Sequence, residues 1–272
     1  MTQFGLNGAT TQPLDQATEI RLAGEAGFDL IEFRVPKLEA FLRHGSLPEL
    51  KALLEAARLA PLSINAIEQV NTRPADGTAA LEAECERMVR WAEALRCPYL
   101  VVVPGFLREP QPWEDIVART VDALAPLAEC AGACGVRLGF EFLGFANCTV
   151  NQLGTAREIV RRIGSQYVGL VIDTFHFYLG GEPVELLREL EPGELLVFHV
   201  NDAEAQPRAT LADRHRLLPG HGVIPLKEMW SALRQRNLIA HASLELFRPE
   251  YWEQPPEPFL REALASLRQT FP

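Results

Sequence analysis

The chain has 272 residues, 47% of them hydrophobic and 23% charged, with a formal charge of -10 and an isoelectric point near 5.2. That length suffices for one large α/β domain, and the acidity argues against a protein whose binding energy comes from phosphate contacts, which clustered Lys and Arg supply. The expected partner is a small molecule, with neither nucleic acid nor membrane: no apolar run approaches the roughly 18 residues of a membrane span, and "MTQFGLNGATTQPLDQ" lacks the basic-then-apolar pattern of a leader, so a cytoplasmic location is expected.

Short apolar runs of strand character alternate with longer helical patterns. The first run, "FGLNGAT" (4–10), precedes "PLDQATEIRLAGEAG", where Leu14, Ala17, Ile20 and Ala23 recur three apart and Gly27 offers a stop. Next come "LIEFRV" (30–35), "LSINAI" (62–67) and "YLVVVP" (99–104), the last preceded by the Ala/Glu/Arg-rich helical stretch "TAALEAECERMVRWAEALR". The remaining runs are "RLGFEF" (137–142), "VGLVIDT" (168–174), "LLVFHVN" (195–201) and "ASLELF" (242–247). Eight strand–helix repeats in 272 residues predict a single (β/α)8 TIM barrel domain over residues 1–272, with a doubly wound open sheet as the alternative. No G-x-G-x-x-G follows the first strand, which counts against the open sheet.

"REPQPWED" and "EQPPEP" are short enough to be loops, whereas "NDAEAQPRATLADRHRLLPGHGVIPL", after the seventh strand, is much longer than the usual connection, a length that goes with function or disorder. The five cysteines are odd in number and irregularly spaced; Cys130 and Cys134, four apart in a helical stretch, are expected to be small buried packing residues.

In such a barrel the active site is built at the carboxyl ends of the strands. Strand five ends at Glu141, strand six at Asp173 with His176 just beyond, strand seven at His199 and strand eight at Glu245. Alternation puts these side chains on the same strand face as Gly139, Val171, Val197 and Ser243, whose small or branched side chains suit a crowded interior. A single carboxylate at a strand end reads as half of a salt bridge. Three carboxylates and an imidazole converging near one axis repel strongly without a cation, so a divalent ion is the simplest solution and an ion-pair network the alternative. The three-oxygen, one-nitrogen donor set suits Mn²⁺, Zn²⁺, Co²⁺ or Mg²⁺ alike. Glu32 and Arg34 share a face of strand two and are expected to form an internal ion pair near the barrel mouth, with substrate contact as the other reading of Arg34. Asn7 and Asn65 are read as donors to substrate hydroxyls or as turn caps. Trp113, Trp230, Phe247 and Tyr251 are read as pocket walls or as packing.

The strand-end motifs "GFEF", "VIDTFH", "FHVND" and "LELF" resemble the xylose-isomerase-like barrel superfamily of sugar isomerases, ketose 3-epimerases and apurinic endonucleases. Within it, "EFLGFANCTVN" (141–151), "VGLVIDTFHF" (168–177), "RLLPGHG" (216–222) and "LELFRPEY" (244–251), with "NGATT" (7–11) and "INAI" (64–67), resemble the inosose isomerase branch of inositol catabolism, over nearly the whole chain. The resemblance implies one divalent metal held by Glu141, Asp173, His199 and Glu245. It also implies conversion of 2-keto-myo-inositol to 1-keto-D-chiro-inositol through an enediolate, with Glu141 the preferred proton carrier over Glu245. His176 matches the superfamily's Asp-x-x-His and is implied to contact a substrate oxygen or relay a proton to it. Arg216 matches an arginine that reaches a substrate oxygen in similar enzymes, a loop salt bridge being the alternative.

"DRHRLLPGHG" also resembles the endonuclease branch, in which Asp213 and His215 would bind an additional metal. That branch needs further histidines at the ends of strands two to four, where this chain offers Arg34, Asn65 and Pro104. The alternatives left by the resemblance are a ketose 3-epimerase or other hydroxy-carbonyl isomerase and, more remotely, an endonuclease-like enzyme or a non-catalytic sugar-binding barrel. The aromatics of "RPEYWEQPP" are read as a candidate homodimer contact.

Overall fold

The computed structural model describes residues 2–74 and 77–272, in which eight parallel strands close into a barrel. They are β1 (Gln3–Asn7), β2 (Leu30–Arg34), β3 (Ala60–Ile67), β4 (Tyr99–Val102), β5 (Arg137–Glu141), β6 (Val168–Asp173), β7 (Leu195–Val200) and β10 (His241–Leu244). Between the last two, β8 (Asp202–Ala203) and β9 (Arg216–Leu217) form an antiparallel ribbon. Consecutive barrel strands are neighbours, and β10 closes the ring against β1 through pairing of Gln3 with His241 and Leu6 with Leu244. Closure excludes the open-sheet alternative.

The helices are α1 (Gln16–Ala26), α2 (Val35–Leu42), α3 (Leu47–Ala57), α4 (Thr78–Leu95), α5 (Trp113–Gly132), α6 (Leu153–Ile163), α7 (Thr174–Gly180), α8 (Leu226–Arg234), α9 (Pro249–Trp252) and α10 (Pro256–Thr270). Local chemistry sets their ends. Asp15 caps α1 by accepting from the Thr18 N–H at 2.9 Å, and Gly27 ends it at φ 93°, a left-handed conformation that glycine takes without Cβ strain. None of the helices among the described residues is long and apolar enough to cross a membrane.

The strands are buried on both faces, which is why they read as continuous apolar runs. One face packs on the helices in the main core, while Leu30, Val101, Val171 and Val197 belong to a small separate cluster inside the barrel. Several strands stop short of the predicted ends: residues 8–10, Pro104 and 245–247 lie in the loops at the carboxyl rim. The chain there leaves the ladder to build the site, although the Glu245 N–H still donates to the Val200 carbonyl at 3.2 Å. Cys85 and Cys148 are buried and Cys130 half-buried, but Cys134 is exposed, because α5 has ended and the chain is turning toward β5. The packing role expected for Cys134 is therefore not met.

Candidate metal centre

Strand β6 ends at Asp173 because that residue caps the next helix: Asp173 Oδ1 accepts from the His176 N–H at 2.9 Å, opening α7 with His176 in its first turn. Its other oxygen accepts from Asn201 Nδ2 at 2.8 Å. His199 points inward from β7, fully buried, with Nδ1 2.9 Å from Glu141 Oε1 and 3.6 Å from Glu245 Oε2. Its Nε2 lies 3.0 Å from Glu32 Oε2, and Glu32 in turn accepts from the hydroxyls of Ser63 and Ser243. An Nε2–H donated to Glu32 leaves Nδ1 turned toward Glu141 and Glu245, the arrangement in which a carboxylate behind a histidine fixes its tautomer and raises its basicity as a ligand.

The expected Glu32–Arg34 ion pair is not formed. Both side chains face inward, but Glu32 lies level with Ser63 and Ser243 and is taken by them and His199, one layer below the mouth. Arg34, one layer higher, donates from Nη1 to Asn65 Oδ1 at 3.2 Å and lies 5.5 Å from the Phe247 ring centre.

One ligand atom from each of Glu141, Asp173, His199 and Glu245 lies within 4.8 Å of the others, all four residues being buried. Burial opposes protonation of His199, yet the charges of Glu32, Glu245 and Glu141 raise its pKa well above the usual histidine value. Burial pushes the Asp173 carboxyl up, but Arg216, then His176 and His199, hold it below the ordinary aspartate value. Glu245 is raised, first by burial and then by the charge of Glu141, against the pull of His199. Four buried carboxylates (Glu32, Glu141, Asp173 and Glu245) thus outnumber the two cationic groups paired with them, the His199 imidazole and the Arg216 guanidinium. The surplus negative charge and the O/O/N/O donor set fit a divalent cation held by Glu141, Asp173, His199 and Glu245.

Arg216 is drawn into this centre and also keeps a salt bridge to Asp213 of its own loop. Only 1% exposed, it donates from Nη1 to Asp173 Oδ2 at 2.8 Å and Glu245 Oε2 at 3.2 Å, and from Nε to Asp213 Oδ1 at 3.1 Å. Its guanidinium also packs against the rings of Phe175 and Phe247, at 5.0 and 5.1 Å. Nη2 donates to His176 Nε2 at 3.1 Å, which puts the proton of the neutral His176 ring on Nδ1, a buried atom without a hydrogen-bond partner among the described residues. Burial lowers the His176 pKa, Asp173 opposing and Arg216 adding to the effect, so the ring stays neutral.

Above the cluster lies a cavity of about 240 Å³ whose lining includes Glu141, His176, Arg216 and Glu245. Asn65 also lines it and donates from Nδ2 to Glu245 Oε1 at 3.3 Å. Asn7 does not: buried at the end of β1, its Oδ1 caps the following turn by accepting from the Ala9 N–H at 3.0 Å. Of the four aromatics considered, Phe247 lines the cavity; Trp230 packs against Phe198 and Phe271, Tyr251 stacks on Phe259, and Trp113 sits 50% exposed against Arg162. Two aromatics that the sequence reading missed, Phe106 and Phe145, complete the wall, Phe145 edge-on to His176 at 5.2 Å. They stand in loops, where no periodicity marks them. Glu32 was discoverable as the partner of His199: it is a carboxylate inside an apolar run, with Ser63 and Ser243 on inward faces to receive it.

Asp213 lines the cavity and is paired with Arg216, whereas His215 Nδ1 accepts from the Ala212 N–H at 3.0 Å. Among the described residues these two belong to no group of three or more potential metal ligands. The aromatics of "RPEYW" are half-buried and engaged within the chain: the Tyr251 hydroxyl accepts from the Leu218 N–H at 3.3 Å and Trp252 Nε1 donates to the Ala9 carbonyl at 3.1 Å. They are therefore not the exposed aromatics that the sequence suggests.

The family model described as xylose isomerase-like TIM barrel matches residues 20–270. The chain is 35% identical over 259 residues to the inosose isomerase of Halalkalibacterium halodurans, covering 94% of this chain and 92% of that one. It is 33% identical over 266 residues to the inosose isomerase of Bacillus subtilis, covering 97% and 94%. Among solved structures it superposes on the 1.8 Å crystal structure of the IOLI protein with a binding zinc atom, with a TM-score of 0.95 and 32% identity over 100% of this chain and 98% of that one. With the match running through nearly all of a closed, eight-stranded parallel barrel, this chain belongs to the xylose isomerase-like TIM barrel family.

Proposed function

We propose that the chain is a divalent-metal-dependent isomerase that interconverts inososes, 2-keto-myo-inositol and 1-keto-D-chiro-inositol. The observation that carries this reading is the convergence of Glu141, Asp173, His199 and Glu245 within 4.8 Å at the floor of a polar and aromatic cavity, in a chain similar over 94% of its length to an inosose isomerase. Those four residues would hold the cation, and Zn²⁺, Mn²⁺, Co²⁺ and Mg²⁺ all suit their donor set. When bound, the metal polarises the ketone and the neighbouring hydroxyl, acidifying the carbon-bound proton between them.

The residues of the chain then divide the work. Glu141 takes the proton from the hydroxyl-bearing carbon, and the electron pair of that C–H bond becomes the carbon–carbon double bond of an enediolate as the carbonyl π pair moves onto its oxygen; the same carboxyl then returns the proton to the former carbonyl carbon while the hydroxyl proton passes to the former carbonyl oxygen, leaving the ketone on the neighbouring carbon. Glu245, across the cluster, is the second candidate for this transfer. Arg216 faces the developing oxyanion with a charge fixed by Asp173, Asp213 and Glu245, so little reorganisation is needed as charge builds. His176 offers Nδ1–H to a ring hydroxyl. Arg34 and Asn65 address hydroxyls on the far side, and Phe106, Phe145 and Phe247 cover the apolar faces of the ring and restrict water.

The test is metal analysis of the purified protein together with NMR in deuterated water, offering an inosose and a set of ketohexoses. Deuterium uptake beside the inosose carbonyl, dependent on a bound dication, supports the reading. Uptake by a ketohexose alone overturns it in favour of a ketose 3-epimerase.

A further inference from the structure

Asp202 belongs neither to the metal-type cluster nor to the cavity wall, yet its carboxylate, 1% exposed, gathers four backbone N–H groups. Oδ1 accepts from Ala203 and Ile224, both at 2.9 Å, and Oδ2 from Gly220 at 3.0 Å and Gly222 at 2.9 Å. The donors stand at the two ends of the long segment after β7, so one side chain closes the loop on itself. The closure also fixes the β8–β9 ribbon. Ala203 is the ladder partner of Arg216, the Glu204 N–H donates to the His215 carbonyl at 3.2 Å, and the Val223 N–H donates to the Ala203 carbonyl at 3.1 Å.

The "PGHG" stretch is shaped to receive this carboxylate. Gly220 has φ +85°, which few other residues adopt, and a Cβ at Gly222 would collide with the Ala203 carbonyl oxygen and Asp202 Oδ1. An ionised carboxylate is all acceptor and satisfies four donors at once; an amide in the same place would turn its own N–H groups toward two of them.

We propose that Asp202 is a positioning residue: by clasping the 220–224 backbone it holds the ribbon so that Arg216 reaches Asp173, Glu245 and the substrate. The clasp rests on the isomerase reading only for the identity of that substrate. Without it, a loop of this length samples many conformations and Arg216 is presented only part of the time.

The test compares Asp202→Asn and Gly222→Ala, each alone and each combined with Arg216→Gln, by metal titration, backbone hydrogen exchange and steady-state kinetics on inosose. Each single variant is expected to bind the dication as the wild type does, to exchange the amides of Glu204, Gly222 and Val223 faster, and to lose about tenfold or more in kcat with a smaller change in KM. Adding Arg216→Gln is expected to cost no more than Arg216→Gln alone, because the clasp acts through that arginine. Losses that multiply in the double variants, or wild-type kcat despite faster exchange, overturn the proposal. If Asp202→Asn does not fold, Gly222→Ala crowds the same clasp from the opposite side and carries the same comparison. If the wild type does not turn over inosose, the isomerase reading fails, and the clasp stands or falls on whether hydrogen exchange of these amides quickens in the variants.

Discussion

Replacing Glu32 with glutamine tests the charge behind the metal-facing histidine. The carboxylate is fully buried, 3.0 Å from His199 Nε2, and accepts from the hydroxyls of Ser63 and Ser243. Glutamine keeps its size, and its retained oxygen continues to accept from His199 and Ser63 while the Ser243 hydroxyl rotates to accept from the new amide, so the fold is expected to persist. What disappears is the charge. Burial pushes the Glu32 carboxyl up, but the charge of His199 and the hydrogen bonds from His199, Ser243 and Ser63 bring it from 4.5 to about 2. At about 1.4 kcal/mol per pKa unit, that favours the ionised form by roughly 3 kcal/mol, so Glu32 carries its charge at neutral pH and is available to orient the His199 ring. Loss of a carboxylate behind a metal-binding histidine typically lowers metal affinity 10- to 100-fold, about 1.4 to 2.7 kcal/mol, and that is the loss expected here. Competition of Zn²⁺ or Co²⁺ against a chromophoric chelator at neutral pH reads the affinity, and circular dichroism checks the fold. A variant that folds normally and binds within about twofold of the wild type would refute the reasoning.

Glu141→Gln is expected to reduce exchange of the substrate α-proton with solvent by about 10² to 10⁴, the usual worth of a general base, as followed by NMR in deuterated water; unchanged exchange removes Glu141 from the mechanism. Arg34→Met should raise KM by roughly tenfold or more with little change in kcat if, as proposed, Arg34 binds the far side of the ring in ground and transition states alike. A fall in kcat at constant KM would contradict that placement. His241 makes stability depend on pH: burial pushes its imidazole from 6.5 down to about 4, with Glu32 pulling the other way and His199 adding to the lowering. A folded value below the unfolded one means that the neutral ring stabilises the fold above about pH 6.5, and that this contribution is lost as the pH falls toward about 4. Between pH 7 and 5 the loss comes to about 2 kcal/mol, so urea unfolding of His241→Gln should show a pH dependence shallower by that amount; equal slopes for the two proteins would refute it.

Much of the architecture was legible because parallel barrel strands are buried on both faces and announce themselves as unbroken apolar runs. The helix punctuation at Asp15 and Gly27 was equally local. Glu141, Asp173, His199 and Glu245 stood out for a related reason: a charged residue closing an apolar run is conspicuous, and barrel topology alone brings four such strand ends together. Alternation also said correctly that Glu32 and Arg34 share a face. It carries no information about height across the sheet. The stagger of neighbouring strands sets that height, placing Glu32 level with Ser63, Ser243 and His199 and leaving Arg34 above with Asn65 and Phe247. Arg216, Phe106 and Phe145 come from segments without periodicity, and their placement shows only in long-range contacts: Arg216 with Asp173 and Glu245, Phe145 with His176 and Phe106. Sequence determined which residues could meet, because apolar runs and side-chain alternation are local consequences of the backbone; the tertiary structure decided which ones do, because register and loop closure depend on groups far apart in the chain.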